Sequence, residues 1–193
     1  MGESGTLWAV IGALLAGASL VYVGGAIVAL RVWARREAPE ARESPSVTIL
    51  KPLCGPEPEL YENLRSFCDQ DYPQFQVIFG ARDPDDPALA TARRLVREFP
   101  ERDLRVVADE RLIGSNRKVS NLANMLPGAR HDLLVIADSD IRVGPDYLRR
   151  VLAPLLDPGV GLVTCLYRAR AGRSLWSRIG AMAINEGFLP SVL

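Results

Sequence analysis

The alternation of apolar and polar positions divides the chain into three stretches. From Thr6 to Leu30, 25 residues pass without a charge, against about 20 needed to cross a bilayer as a helix. Trp8 and Trp33 lie near its two ends, where interfacial aromatics sit. From Ala34 to Pro45 the pattern turns charged and is broken by Pro39 and Pro45, which reads as a tether. Beyond it, short apolar runs alternate with segments of 3.6-residue period. Val47–Leu50, Phe75–Phe79, Leu104–Ala108, Leu133–Ala137 and Val160–Leu166 read as strands. Between them, helices are predicted with inward faces on Leu60, Leu64, Phe67 and Cys68; on Ala88, Ala92, Leu95, Val96 and Phe99; on Val119, Leu122, Ala123 and Leu126; and on Leu148, Val151, Leu152 and Leu155. Pro58 and Pro87 suit helix starts, with Asp86 as a cap. Strands separated by helices of about ten residues imply parallel βαβ units and a three-layer α/β/α sheet. The organisation expected is a membrane helix with flanks over 1–33, a tether over 34–45 and an α/β domain over 46–193.

The start of the chain carries Glu3 and no Lys or Arg, whereas Arg31, Arg35 and Arg36 follow the apolar run. A cleaved signal peptide would want a basic start and a shorter apolar core. The positive-inside rule then expects a single-pass membrane protein with the bulk of the chain in the cytosol. The three cysteines, Cys54, Cys68 and Cys165, are odd in number and lack metal-ligand spacing; they read as free thiols in a reducing compartment. Acids and bases balance at 23 each, so no basic surface suggests nucleic acid as a partner. His131 is the sole histidine, which leaves histidine-based catalysis without a second member.

The chemistry concentrates at Asp132-Leu-Leu-Val-Ile-Ala-Asp138-Ser139-Asp140. The apolar run reads as a central strand buried on both faces. Ligands of open α/β sheets bind beyond the carboxyl ends of strands. Period-two alternation puts Asp138 and Asp140 on one side and Ser139 on the other. Two carboxylates aimed at one spot call for a cation, and Mg²⁺ or Mn²⁺ takes such a pair while sharing its other positions with water and phosphate. Asp-Ser-Asp is also ordinary turn chemistry. Two further loops bear on the site. Parallel topology sends Asp83, Asp85 and Asp86 to the same sheet edge, as acceptors for a base or ribose or, for Asp86, as a helix cap. Gly114-Ser-Asn116-Arg-Lys118 opens a helix and offers backbone N–H groups and two cations, which suits a diphosphate or simply a capped surface helix.

The run from Val47 to about Arg170 resembles the family 2 type of glycosyltransferase, and within it the ceramide glucosyltransferases and the related bacterial hopanoid-biosynthesis enzymes. The resemblance rests on Leu50-Lys51-Pro52-Leu53 with Gly55, Asp71-Tyr72-Pro73, Asp83-x-Asp85-Asp86-Pro87-Ala88, Asn116-x-Lys118-x-x-Asn121-Leu122 and Asp138-Ser139-Asp140-Ile141-Arg142-Val143. It implies the donor-binding half of a GT-A fold, a UDP-sugar donor (glucose or N-acetylglucosamine), inverting transfer with a divalent cation, and a membrane lipid acceptor. By position Asp86 matches the family's first essential acid and Asp138 its second, with Asp140 completing a metal-binding pair. Asn116 and Lys118 fall in the donor-diphosphate stretch, and Lys51 in the donor-side motif. The family carries further on a general base and a Gln-x-x-Arg-Trp motif. The later acids here are Asp146, Asp157 and Glu186, and Trp176 follows Leu175, so neither is matched. The expectation is therefore a lipid glycosyltransferase cut short, or else a nucleotide-sugar-binding fragment or subunit without its base. Arg168, Arg170, Arg173 and Arg178, beside the spacing of Leu175, Trp176, Ile179 and Met182, suggest that the tail over 168–193 lies on a membrane and rims the acceptor site. The other reading is a core helix stripped of its cover.

Overall fold

The computed structural model describes residues 3–35, 43–172 and 174–185. Most of the expected tether and the end of the tail lie outside the described residues. The chain separates into two compact units, one holding the N-terminal helix and the residues from Thr164 onward, the other Pro39–Val163.

In the first unit, helix α1 spans Glu3–Ala34. Its segment Gly5–Val32 is long and apolar enough to cross a membrane. At 1.5 Å per residue that segment measures roughly 42 Å, against a hydrocarbon core of about 30 Å.

The second unit holds a four-stranded, wholly parallel sheet of β1 (Val47–Pro52), β2 (Phe75–Ala81), β3 (Asp103–Ala108) and β4 (Leu133–Ile136), in the order β3-β2-β1-β4. Helices α2 (Leu60–Cys68), α3 (Ala88–Glu98), α4 (Arg117–Met125) and α5 (Tyr147–Leu152) connect or follow the strands. Alternation in β1 and β2 divides the core. Val47, Ile49, Val77 and Phe79 pack with Leu64, Phe67, Leu89, Leu95 and Leu148. Leu50 and Ile78 point the other way, onto Met125 of α4. The sheet is thus a middle layer between α2, α3 and α5 on one face and α4 on the other.

Three expectations change. β4 is not buried on both faces, because among the described residues it is an edge strand. Val135 packs inward at 7 % exposure, while Ile136 is 56 % exposed: Ile136 lies beside Leu50, on the α4 face, and α4 packs over β1 and β2. Val160–Leu166 forms no strand; it runs irregularly, with Leu162 exposed. The inward face of α4 is polar. Ser120, Asn121, Asn124 and Met125 are buried, whereas Val119 and Leu126 are exposed. The cause lies beneath the helix, where strand-end carbonyls need donors. Asn121 Nδ2 donates to the Gly80 carbonyl at 2.8 Å, and Asn124 Nδ2 to those of Asp109 and Arg111 at 3.0 and 2.9 Å.

Candidate active site

The strand order itself fixes where a ligand sits. The chain proceeds from β1 outward through β2 to β3, then returns to place β4 on the other side of β1. The loops leaving β1 and β4 at their carboxyl ends run side by side, joined by Ser139 Oγ donating to Glu57 at 2.8 Å and Arg142 donating to Glu59 at 2.9 Å, at the sheet edge where open α/β folds bind ligands. Lys51 and Pro52 close β1 there, and Ala137–Asp140 follow β4.

β4 ends at Ile136, so Asp138–Ile141 form a turn, closed by Ile141 N donating to the Asp138 carbonyl at 3.2 Å, rather than a continuing strand. Asp138 and Asp140 are exposed and Ser139, at 7 % exposure, faces inward. Two lysines meet Asp138, one at its carboxylate and one at its backbone carbonyl. Lys118, on the first turn of α4, places its ammonium on the Asp138 carboxylate. Lys51 is fully buried and donates to the Asp138 backbone carbonyl, with its Nζ 3.8 Å from the centre of the Phe67 ring. Burial pulls Lys51 down to about 7, against the opposing fields of Asp138, Asp140 and Glu57. Lys51 is thus a support behind the turn rather than a group open to a ligand.

The remaining predicted residues are placed as follows. Asn116 caps α4, its Oδ1 accepting from the N–H groups of Lys118 and Val119 at 3.0 and 3.1 Å. Those two amides are therefore occupied, and the ammonium of Lys118 is what the α4 start offers an anion. Asp86 accepts from Ala88 N at 2.8 Å, as a cap does. It also takes Gly55 N on both oxygens, at 2.8 and 3.1 Å, and Gly55 reaches this position with φ 71°. Asp83 Oδ1 accepts from Asp85 N at 2.9 Å within its own turn. The loop after β2 is thus tied to the loop after β1, which in turn meets the Asp138 turn. One residue the sequence reading passed over stands there. Glu57 Oε1 accepts from Ser139 Oγ at 2.8 Å. Its only signal was an acid between Pro56 and Pro58 just after β1.

Among the described residues no three His, Cys, Asp or Glu side chains converge as a metal site. Asp138 and Asp140 nevertheless supply the all-oxygen, two-carboxylate set that Mg²⁺ or Mn²⁺ takes when phosphate and water complete its shell. The ammonium already resting on Asp138 marks a place where positive charge is stabilised.

A mannosyltransferase from Pyrobaculum calidifontis, solved in complex with GDP-Man and Mn²⁺, superposes with a TM-score of 0.60 at 25 % identity, over 82 % of this chain and 48 % of its own. The expected GT-A architecture is therefore present. The ceramide glucosyltransferase of Komagataella phaffii is 34 % identical over 120 residues, 60 % of this chain and 24 % of that protein. Ceramide glucosyltransferase 1 of Caenorhabditis elegans is 32 % identical over 102 residues, 53 % of this chain and 22 % of its own. The matched part thus spans about a quarter of these relatives. The family model for glycosyl transferase family 21 matches residues 13–193. With nearly the whole chain under that model, the protein belongs to glycosyl transferase family 21.

Proposed function

We propose that the chain binds a UDP-linked glucose or N-acetylglucosamine at the carboxyl ends of β1 and β4, and serves its inverting transfer to a lipid hydroxyl such as that of a ceramide or a hopanoid. The observation that carries this reading is the pair Asp138 and Asp140, exposed beyond β4 with the Lys118 ammonium between α4 and Asp138. Asp138 and Asp140 would hold a divalent cation, which neutralises the donor diphosphate and the charge growing on the leaving group. Lys118 exchanges its carboxylate partner for a phosphate oxygen and adds a second positive charge there. Asn116 holds the first turn of α4 in the conformation that presents Lys118. Asp86 fixes the loop after β1 through Gly55, and Asp83 and Asp85 shape the turn that borders the nucleotide. The ceramide glucosyltransferase relatives support the lipid acceptor, and the Pyrobaculum enzyme supports a nucleotide sugar with a divalent ion.

Inverting transfer also needs a base for the acceptor proton. Asp146 pairs with Arg150 at 3.7 Å, and Asp157 accepts from Gly159 N at 2.8 Å. Among the described residues both are engaged within their own segments, which favours a second reading, a nucleotide-sugar-binding fragment or subunit that lacks its general base. Calorimetry of UDP with Mn²⁺ and with EDTA, on wild type and on Asp140→Ala, tests both readings at their shared step. Metal-dependent affinity that falls in the variant is expected; equal affinity throughout would end the metal–diphosphate reading.

Helix α1 is proposed as a single membrane span, with the catalytic unit on the cytosolic side by the basic residues after it. Alkaline carbonate should leave the protein in the membrane pellet. A reporter fused after Leu193 that works only on the non-cytosolic side would reverse the orientation.

A further inference from the structure

The turn that carries the acid pair rests on one short segment. After Pro52 the chain runs Leu53-Cys54-Gly55-Pro56-Glu57-Pro58-Glu59 into α2, and successive polar groups along it reach different loops. Leu53 N donates to the Gly80 carbonyl at 2.7 Å, and Gly55 N to the Asp86 carboxylate. Glu57 takes the Ser139 hydroxyl at 2.8 Å. Glu59 takes Arg142 at 2.9 Å, just past the turn. Behind them, Lys51 holds the Asp138 carbonyl.

We propose that Glu57 is a positioning residue for the donor site: with Lys51 it grips the Asp138–Asp140 turn from beneath, and by holding Ser139 inward it aims the two flanking carboxylates at one point. The inference rests on the reading of that turn as a cation–diphosphate site. The grip falls on consecutive residues. Lys51 fixes a main-chain oxygen of Asp138, and Glu57 fixes the side chain of the next residue. Ser139 is nearly fully buried while both neighbours are exposed, so its inward rotation and their outward rotation are one backbone setting. The arm bearing Glu57 is stiff. Pro56 and Pro58 have fixed φ, and Glu57, the residue before Pro58, is disfavoured from the helical region. Glu57 Oε2 is buried without a hydrogen-bond partner among the described residues, and an unpaired buried carboxylate oxygen is costly. Its negative charge acts on the buried Lys51 ammonium. The carboxylate thereby stabilises both halves of the grip, the serine directly and the lysine through the field.

The test uses the full chain in detergent or nanodiscs, with UDP as probe, titrated in Mn²⁺ and in EDTA. The proteins are wild type, Glu57→Ala, Glu57→Gln, Ser139→Ala and the Glu57→Ala/Ser139→Ala pair, each with its thermal unfolding recorded. Loss of a hydrogen bond to a charged group predicts Mn²⁺-dependent UDP affinity weakened by roughly tenfold or more in Glu57→Ala and in Ser139→Ala. The double variant should be no worse than Glu57→Ala, since both remove one contact. Glu57→Gln, which keeps an acceptor for Ser139, should recover most of the affinity, and UDP affinity in EDTA should be the same in all. Folded Glu57→Ala with wild-type affinity in Mn²⁺ would overturn the proposal, as would additive losses or losses equal in EDTA. Should Glu57→Ala not fold, Ser139→Ala decides, since it removes only a hydroxyl; unchanged metal-dependent affinity there refutes the grip. A wild type without Mn²⁺-dependent binding overturns the donor reading and this inference together, a result distinct from all the others.

Discussion

Replacing Lys118 by methionine should separate the stability of this fold from its binding of donor. In the structure the Lys118 ammonium lies on Asp138, but both side chains remain about half exposed, at 52 % and 53 %. An ion pair so open to water contributes only ~0–1 kcal/mol. Methionine keeps the aliphatic stem, so the unfolding free energy should move by no more than about 1 kcal/mol. Binding behaves differently, because a bound diphosphate excludes water from the ammonium. A charge-assisted hydrogen bond there is worth ~1.5–3 kcal/mol, or roughly 10- to 100-fold in affinity for UDP with Mn²⁺. The cation alone should respond with the opposite sign. Lys118 competes with it for Asp138, so the variant should bind Mn²⁺ without UDP at least as tightly as wild type. Denaturant unfolding, calorimetry with UDP and Mn²⁺, and electron paramagnetic resonance of Mn²⁺ alone measure the three quantities. Unchanged UDP affinity would remove Lys118 from the donor site. A stability loss of several kcal/mol, or weaker binding of Mn²⁺ alone, would refute the picture of an exposed ion pair standing where the metal belongs.

Three other outcomes follow from the same geometry. A Cβ at Gly80 would lie 2.3 Å from Sδ and 2.4 Å from Cγ of the fully buried Met125, so Gly80→Ala should destabilise by about 1–3 kcal/mol in denaturant unfolding; adding Met125→Val should restore part of the loss, and a Gly80→Ala protein as stable as wild type would contradict the packing. Burial lifts the Cys68 thiol to about 12, whereas Cys54 and Cys165 are exposed; an aromatic disulfide reagent at pH 8 should label Cys68 only on unfolding. The sign follows: between about 9 and 12 the unfolded chain loses a proton that the folded chain keeps, so this thiol makes stability fall as pH rises through that range, and Cys68→Ala should flatten that slope. Helix α6 (Leu175–Ala183), capped by Ser174, exposes Leu175, Trp176, Ile179 and Met182, as a membrane-lying stripe would. With Trp8 and Trp33 changed to Phe, brominated anionic lipids should quench Trp176 and salt should lessen the effect; absence of quenching, or equal quenching by neutral lipids in high salt, would count against a tail on the membrane surface.

Most of the elements were legible in the sequence because their signals are local. The long uncharged run predicts α1 from length alone, and β1, β2 and α3 follow from apolar runs and periodicity that hold whatever surrounds them. The acids of Asp138-Ser139-Asp140 were readable as a group following a strand, but the turn closed by Ile141 N on the Asp138 carbonyl, not strand alternation, sets which of them are exposed. What failed was whatever depended on a neighbour. Leu133–Ala137 has the composition of a central strand, yet only strand order decides whether a partner and a helix cover Ile136. Val160–Leu166 has strand propensity, yet among the described residues it joins no sheet. In α4 the apolar period pointed to Val119 and Leu126, while the carbonyls of Gly80, Asp109 and Arg111 drew in Asn121 and Asn124; a buried polar group goes where its partner is.

The site shows the same division. The sequence by itself determined which residues carry charge at the sheet's carboxyl edge, because motif spacing and parallel topology are properties of the chain. Only the tertiary structure decided which of them face a ligand. It took Lys51 into the core, committed Asn116 and Asp86 to backbone amides, and brought Glu57 against Ser139 across 82 residues of sequence. Hydrogen bonds between loops that far apart are set by how the strands are ordered, and nothing local in the chain encodes them.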